Sequence, residues 1–191
     1  MPMPARFSID QLLDCALELF AAGGLAAVSV ARVAEQAGAP SGSVYHRVAG
    51  RDDLRARMWI RSVERFQVGY LQALADEDPQ RAAEWAACHV LDWTRAHPTD
   101  GLLLLQHGAG DLLTVDVSAK VRERAALGRG RLEQAINDWR RRHPAAPTPG
   151  RARFALIDLP YAAVRPHLQA GQAIPAEAND LLRDALSGVL S

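Results

Sequence analysis

Residues 29–53, SVARVAEQAGAPSGSVYHRVAGRDD, constrain this chain more than any other stretch. The pattern predicts a short helix over Val30–Gln36, a tight break at Ala37-Gly38-Ala39-Pro40, and a second short helix over Ser41–Val48. Gly38 can take positive φ at low cost, as a tight helix-helix turn requires. Pro40 cannot continue the first helix and fits just ahead of the second. Arg51 then opens a third, longer helix almost at once.

The second of these helices has a distinctive chemistry. Ser41, Gly42 and Ser43 surround its N-terminus with small side chains. Free backbone N–H groups and partial positive charge at that end let a phosphate approach closely. Tyr45, His46 and Arg47 follow on the next turn and offer a hydroxyl, an imidazole and a guanidinium to DNA phosphates or base edges. A second reading stays open on these residues alone. The pattern can be a packing unit of any helical protein, with Tyr45 as a buried aromatic and Arg47 as a solvated charge.

The stretch resembles the DNA-reading motif of the TetR family of bacterial transcriptional regulators. The matching residues are Ser29 opening a helix, Val33-Ala34 within it, Ala37-Gly38 at the turn, Tyr45 in the recognition helix and the basic Arg51 before the next long helix. Arg47 and Val48 stand where the family usually has His and Phe, and Arg51 where Lys is more frequent. Val48 is then a smaller core plug, and Arg47 reaches further than a histidine. The resemblance assigns Ser29, Tyr45, Arg47 and Arg51 to phosphate positioning. Ser41, Gly42, Ser43 and His46 go to base-edge or close-backbone contact, and Arg32 to either.

Composition agrees with a helical, water-soluble chain. Of 191 residues, 49% are apolar and 23% charged. Ala, Leu and Arg dominate, while β-branched and aromatic residues are few, so the expected class is all-α. Formal net charge is zero, so any DNA footprint is local rather than global. Cys15 and Cys88 are the only cysteines, too few for a disulfide framework, and a reduced cytoplasmic setting fits. Met1–Arg6 is short and proline-rich, unlike a secretory signal, and no run approaches the ~18 apolar residues of a membrane span.

In chain order, residues 1–6 read as an arm whose Arg6 is a solvated charge or a groove contact. Ser8 caps the first helix, with Gln11 at capping-box spacing and Phe7 and Leu12 at staple positions. Leu13, Ala16, Leu17 and Phe20 form its buried stripe, and Gly23-Gly24 ends it. The helix from Arg51 to about Ala75 carries Asp52 and Asp53 at its positive end and a stripe of Trp59, Val63, Phe66, Tyr70 and Leu74. Further helices are expected over about 80–96, 99–107, 118–142, 151–170 and 175–190. A loop is expected at Gly108–Asp111, and Pro160 and Pro166 should kink the penultimate helix. Arg140-Arg141-Arg142-His143 reads as cations at a helix C-terminus.

The expected plan is about nine helices: a helix-turn-helix head over residues 1–52 and a larger effector-binding and dimerisation body over 53–191. The resemblance implies that the last two helices pair with those of a second subunit. It also implies that the body encloses a small-molecule effector, with Trp85, His89, Trp93, His107, Phe154 and Tyr161 as candidate lining. The function so implied is a dimeric regulator, a repressor of a palindromic operator that an effector releases. A DNA-binding dimer without an effector, or an activator, is the alternative. No cofactor, metal or catalytic residue is expected. The six histidines have no H-x-x-x-H spacing, and the Walker, G-x-G-x-x-G and G-x-S-x-G motifs are absent.

Overall fold

The structure, a computed structural model, describes residues 7–190. The reading of residues 1–6 as an arm, Arg6 included, lies outside them. Helix is the only regular structure among the described residues, so the chain is all-α. The helices are α1 (Ile9–Ala27), α2 (Val30–Gln36), α3 (Ser41–Tyr45), α4 (Arg51–Leu74), α5 (Pro79–Ala96), α6 (Pro98–Gln106), α7 (Ala109–Leu112), α8 (Ala119–Arg142), α9 (Pro149–Arg153), α10 (Leu159–Ala170) and α11 (Ala178–Leu190). A π turn, Phe154–Asp158, joins α9 to α10.

The chain divides into two compact units. One holds the residues up to Ser62 together with Leu103–Ala126; the other holds Val63–Leu102 and the residues from Leu127 on. This division by packing is a different line from the functional boundary expected at 52/53.

In the first unit, Ser8 and Gln11 form the expected reciprocal cap of α1, at 2.8 and 3.2 Å. The buried stripe is Leu12, Leu13, Ala16, Leu19 and Phe20, with Leu17 only half-buried. Gly24, at φ 64°, breaks the helix as expected, and one further turn follows to Ala27. Val28, Val33, Val44, Leu54 and Met58 are fully buried beneath the motif. Arg55 fastens the α1–α2 join to α4 by donating to the carbonyls of Val28 (3.1 Å) and Leu25 (2.6 Å). Arg61 donates to the Asp10 carbonyl and pairs with Asp14 at 2.8 Å. A second patch brings Val117 and Val121 onto Ala56 and Ile60. Residues 103–126, far from the motif in sequence, thus pack on the helix that follows it.

In the second unit the core is Tyr70, Leu74, Leu91, Trp139, Leu156, Val164, Leu182, Leu186 and neighbouring alanines. The buried face of α5 is Ala82, Ala83, Ala86, Ala87 and Leu91, a small-residue face that lets α10 and α11 pack against it closely. Trp139 donates to the Pro79 carbonyl at 2.7 Å. Pro160 has no N–H for the Leu156 carbonyl four residues back, and the buried Tyr70 hydroxyl donates to that carbonyl instead, at 2.6 Å.

The helix pattern differs from expectation in four places. The second helix of the motif ends at Tyr45 rather than Val48. The segment expected as one helix over 151–170 is α9, the π turn and α10. The widened turn falls just before Pro160, where an i−4 carbonyl and the ring would clash. The expected loop Gly108–Asp111 forms part of the one-turn α7, closed by the Asp111 carboxylate accepting from the Gly108 N–H at 2.8 Å. The last helix starts at Ala178 rather than Pro175.

Candidate nucleic-acid interface

The interface begins with how α2 and α3 are held. Ser29 caps α2, its hydroxyl oxygen accepting from the Arg32 N–H at 3.3 Å. Gly38 takes φ 62°, and the Ala39 N–H returns to the Ala34 carbonyl at 2.9 Å, closing the turn. Helix α3 is only five residues long and is anchored by Val44, which is fully buried. Val48 is buried just past its end, the smaller plug expected there.

Around these anchors the polar residues point outward. Ser41, Gly42, Tyr45, His46, Arg32 and Arg51 are all exposed. Tyr45 is 59% exposed, which removes the reading of it as a buried aromatic. A Cβ built on Gly42 would meet nothing within 4 Å, so that backbone is open to an approaching surface. Arg51 lies beside Asp52 at 3.5 Å, with most of its side chain in solvent.

Arg47 behaves differently. Its guanidinium turns back to donate to the Ser43 carbonyl at 2.6 Å and to the Ser43 hydroxyl oxygen at 3.2 Å. The cause is local. The helix tightens at its end, with the Arg47 N–H going to Val44 at 2.8 Å and the Val48 N–H to Val44 at 3.1 Å. The Ser43 carbonyl is therefore left without a backbone donor, and the side chain of Arg47 takes that place.

Sequence reasoning placed Asp53 only at a helix N-terminus, and the structure gives it more to do. Its carboxylate is fully buried. It accepts from the Ala49 N–H at 3.1 Å, the Ser118 N–H at 3.0 Å and the Arg57 guanidinium at 2.6 Å. Burial pushes its pKa up, but the bonds from Ser118, Arg57 and Ala49 outweigh this and hold it below the ordinary carboxylate value. The backbone just after the recognition helix is thereby fixed to α4 and to the start of α8. The repeated acids at 52 and 53 were the only signal in the sequence, and they do not point to Ser118.

The candidate effector residues do not gather into one cluster. His89 and Trp93 belong to an aromatic group with Phe66 and Tyr70. Phe66 lies 5.4 Å from both rings, and His89 Nε2 donates to the Phe66 carbonyl at 3.0 Å. The His89 ring lies so close over Gly69 that a Cβ there would be 2.4 Å from it. Burial holds the His89 imidazole below its ordinary pKa, so it is neutral at pH 7. Trp85 is 54% exposed under the Arg81 guanidinium, and Phe154 and Tyr161 are also exposed. His107 belongs to the other compact unit, where it meets Phe20 edge-on and its carbonyl accepts from Trp59 at 2.8 Å. No helix among the described residues is long and apolar enough to cross a membrane.

Residues 12–58 match the family described as "Bacterial regulatory proteins, tetR family". A search of curated proteins finds no match. Solved structures share the fold over nearly the whole chain. The fatty acid degradation regulator FadR from Bacillus halodurans is 15% identical, with TM-score 0.72 over 98% of this chain and 97% of that one. FadR from Bacillus subtilis, solved in complex with stearoyl-CoA, is 11% identical, with TM-score 0.72 over 96% and 98%. The ketosteroid transcriptional regulator KstR2 of Mycobacterium tuberculosis is 20% identical, with TM-score 0.62 over 98% and 95%. The family is one of DNA-binding regulators, not enzymes. Residues 12–58 thus match the tetR-family regulatory head, and the fold of the whole chain is shared with solved structures of TetR-family regulators.

Proposed function

We propose that the chain is a cytoplasmic, dimeric repressor that binds a palindromic operator and leaves it when a small apolar or amphipathic molecule binds the body. The observation that carries the DNA reading is the set of exposed groups on and around α3 (Ser41, Gly42, Tyr45, His46 and Arg51) over the buried anchors Val44 and Val48. In this reading Ser29, Arg32, Tyr45 and Arg51 hold phosphates, while Ser41, Gly42, Ser43 and His46 meet base edges. A division of labour follows, with residues 1–52 reading DNA and 53–191 sensing and dimerising. Two heads in a dimer would sit in successive major grooves, about 34–36 Å apart.

Dimerisation through α10 and α11 is supported by apolar residues left at the surface of the last elements. Phe154, Tyr161 and Leu181 are 47%, 41% and 66% exposed. The effector is proposed to contact the aromatic group of Phe66, Tyr70, His89 and Trp93, with the exposed Trp85 at its margin. A structural relative that carries stearoyl-CoA supports a long apolar ligand as the class to try first. A ligand releases DNA only to the extent that it prefers the form with wrongly spaced heads. One observation favours the second reading, a DNA-binding dimer with no effector: His89 and Trp93 are already engaged inside the protein, with Phe66 and His97.

The test is selection from random duplexes by the purified protein, followed by a salt titration on the winners. Enrichment of a two-half-site palindrome with a steep salt slope supports the reading. Binding that ignores sequence refutes it. Once an operator is in hand, acyl-CoA esters of graded chain length test release, and size-exclusion chromatography tests the dimer.

A further inference from the structure

We infer that Arg47 is a positioning residue rather than a phosphate anchor, and that it sets the Ser43 hydroxyl to donate to an acceptor on a base edge. This rests on the DNA-reading function proposed above and assigns one pair of residues within it.

A serine hydroxyl has one proton to donate and two lone pairs to accept with. In Ser43 one lone pair is taken by the Arg47 guanidinium at 3.2 Å. The same nitrogen holds the Ser43 carbonyl at 2.6 Å, so the cation is fixed by two contacts on one residue. Among the described residues, no acceptor takes the Ser43 hydroxyl proton. A hydroxyl that accepts from a cation becomes a stronger donor and a weaker second acceptor. Ser43 is half-buried on the recognition helix, between the exposed Gly42 and the buried Val44, so its proton is directed at whatever faces that turn.

Major-groove chemistry converts this into a preference. Guanine O6 and N7, adenine N7 and thymine O4 accept, whereas cytosine offers only its N4 amino donor. One base position in each half-site should therefore favour an acceptor and disfavour cytosine, by roughly tenfold for a single contact of this kind. The arginine spent on this brace is unavailable to phosphate, so the salt dependence of binding should not count it.

The experiment measures binding to the selected site and to its single-base variants at several salt concentrations. It compares wild type, Arg47→Ala, Arg47→Gln, Ser43→Ala and the benchmark Arg51→Ala. Losing a phosphate contact lowers the salt slope by about 1 per head, and Arg51→Ala should do so. Arg47→Ala should leave the slope at the wild-type value and flatten the preference at one base position. Ser43→Ala should flatten the same position, and combining it with Arg47→Ala should add nothing further. Arg47→Gln keeps a donor for Ser43 without the charge. It should retain both slope and preference, and it remains informative if the alanine variant does not fold. A fall in slope for Arg47→Ala or Arg47→Gln matching that of Arg51→Ala, with base preference intact, overturns the inference while leaving DNA reading in place. Absence of any selected sequence for wild type overturns the DNA reading itself, and this inference with it.

Discussion

Replacing Asp53 with asparagine keeps the shape of the side chain and removes its charge. The wild-type carboxylate uses both oxygens: Oδ1 accepts from Ser118, and Oδ2 accepts from Ala49 and Arg57. Asparagine has one acceptor oxygen, so its amino group must face at least one of those donors. A bond to a charged group is worth about 1.5–3 kcal/mol, and a buried donor left without a partner costs about 1–3 kcal/mol. The Arg57 side chain is 22% exposed, so water recovers part of its loss. The net cost should be about 2–4 kcal/mol, below the sum of these terms because one oxygen survives.

Native-state hydrogen exchange reads this locally, because the Ala49 and Ser118 amides are themselves donors to Asp53. Their protection should fall by roughly 30- to 1,000-fold at neutral pH, if both exchange through opening of this unit. The pH dependence supplies a sign. The folded carboxyl titrates below its ordinary value, near 3.9 in an unfolded chain. Its contribution is therefore complete above about pH 4 and is lost as pH falls through the folded value. The stability gap between wild type and Asp53→Asn should be constant from about pH 8 to 5 and close below about pH 4. Unchanged protection of both amides, or a gap that persists undiminished to pH 3, would refute the argument.

Tyr70→Phe should cost about 1–2 kcal/mol in urea unfolding, since it strands the buried Leu156 carbonyl that Pro160 cannot serve. Adding Pro160→Ala, which restores a backbone N–H, should recover part of that loss; equal costs with and without proline would count against the assignment. His89 is held below its ordinary pKa chiefly by burial, so the unfolded chain takes up a proton first. Stability should drop as pH falls below about 6.5, and His89→Gln should reduce that slope while His143, depressed in the same direction, keeps its share. A slope identical to wild type would exclude His89 as a source.

What the sequence made legible is what its local chemistry decides. The Ser8–Gln11 cap, the positive φ of Gly38 and the burial of Val48 each depend on residues within a few positions. Long-range partners left no such trace. Ser118 lies 65 positions from Asp53, and only the fold shows that its N–H ends there. The small-residue face of α5 was not legible for a different reason. Trp85, His89 and Trp93 recur every four residues and draw the eye, yet the most deeply buried face is mainly alanine. Alanines bury little area each, so their periodicity is weak even where close helix packing requires them. In the same way, the expected phosphate role of Arg47 followed from its charge, whereas its placement follows from an orphaned carbonyl one turn back.

These contacts converge on how so short a recognition helix is held. Five residues are far below the length at which a helix persists alone in water, so α3 exists only through what it is tied to. Its apolar anchors are two valines, Val44 and Val48, both essentially fully buried. A valine side chain stabilises by less on burial than the phenylalanine usual at the second position, at about 0.8 kcal/mol per missing methylene equivalent. The polar ties lie where that deficit falls. Arg47 closes the last turn onto Ser43, and Asp53 holds the Ala49 N–H one residue beyond Val48. The small plug is thus flanked by a half-buried arginine and a buried carboxylate, each tied to the backbone beside it. The same contacts separate the arginine at 47 from the one at 51 by placement. The first closes the end of α3 onto Ser43, and the second lies mostly in solvent beside Asp52.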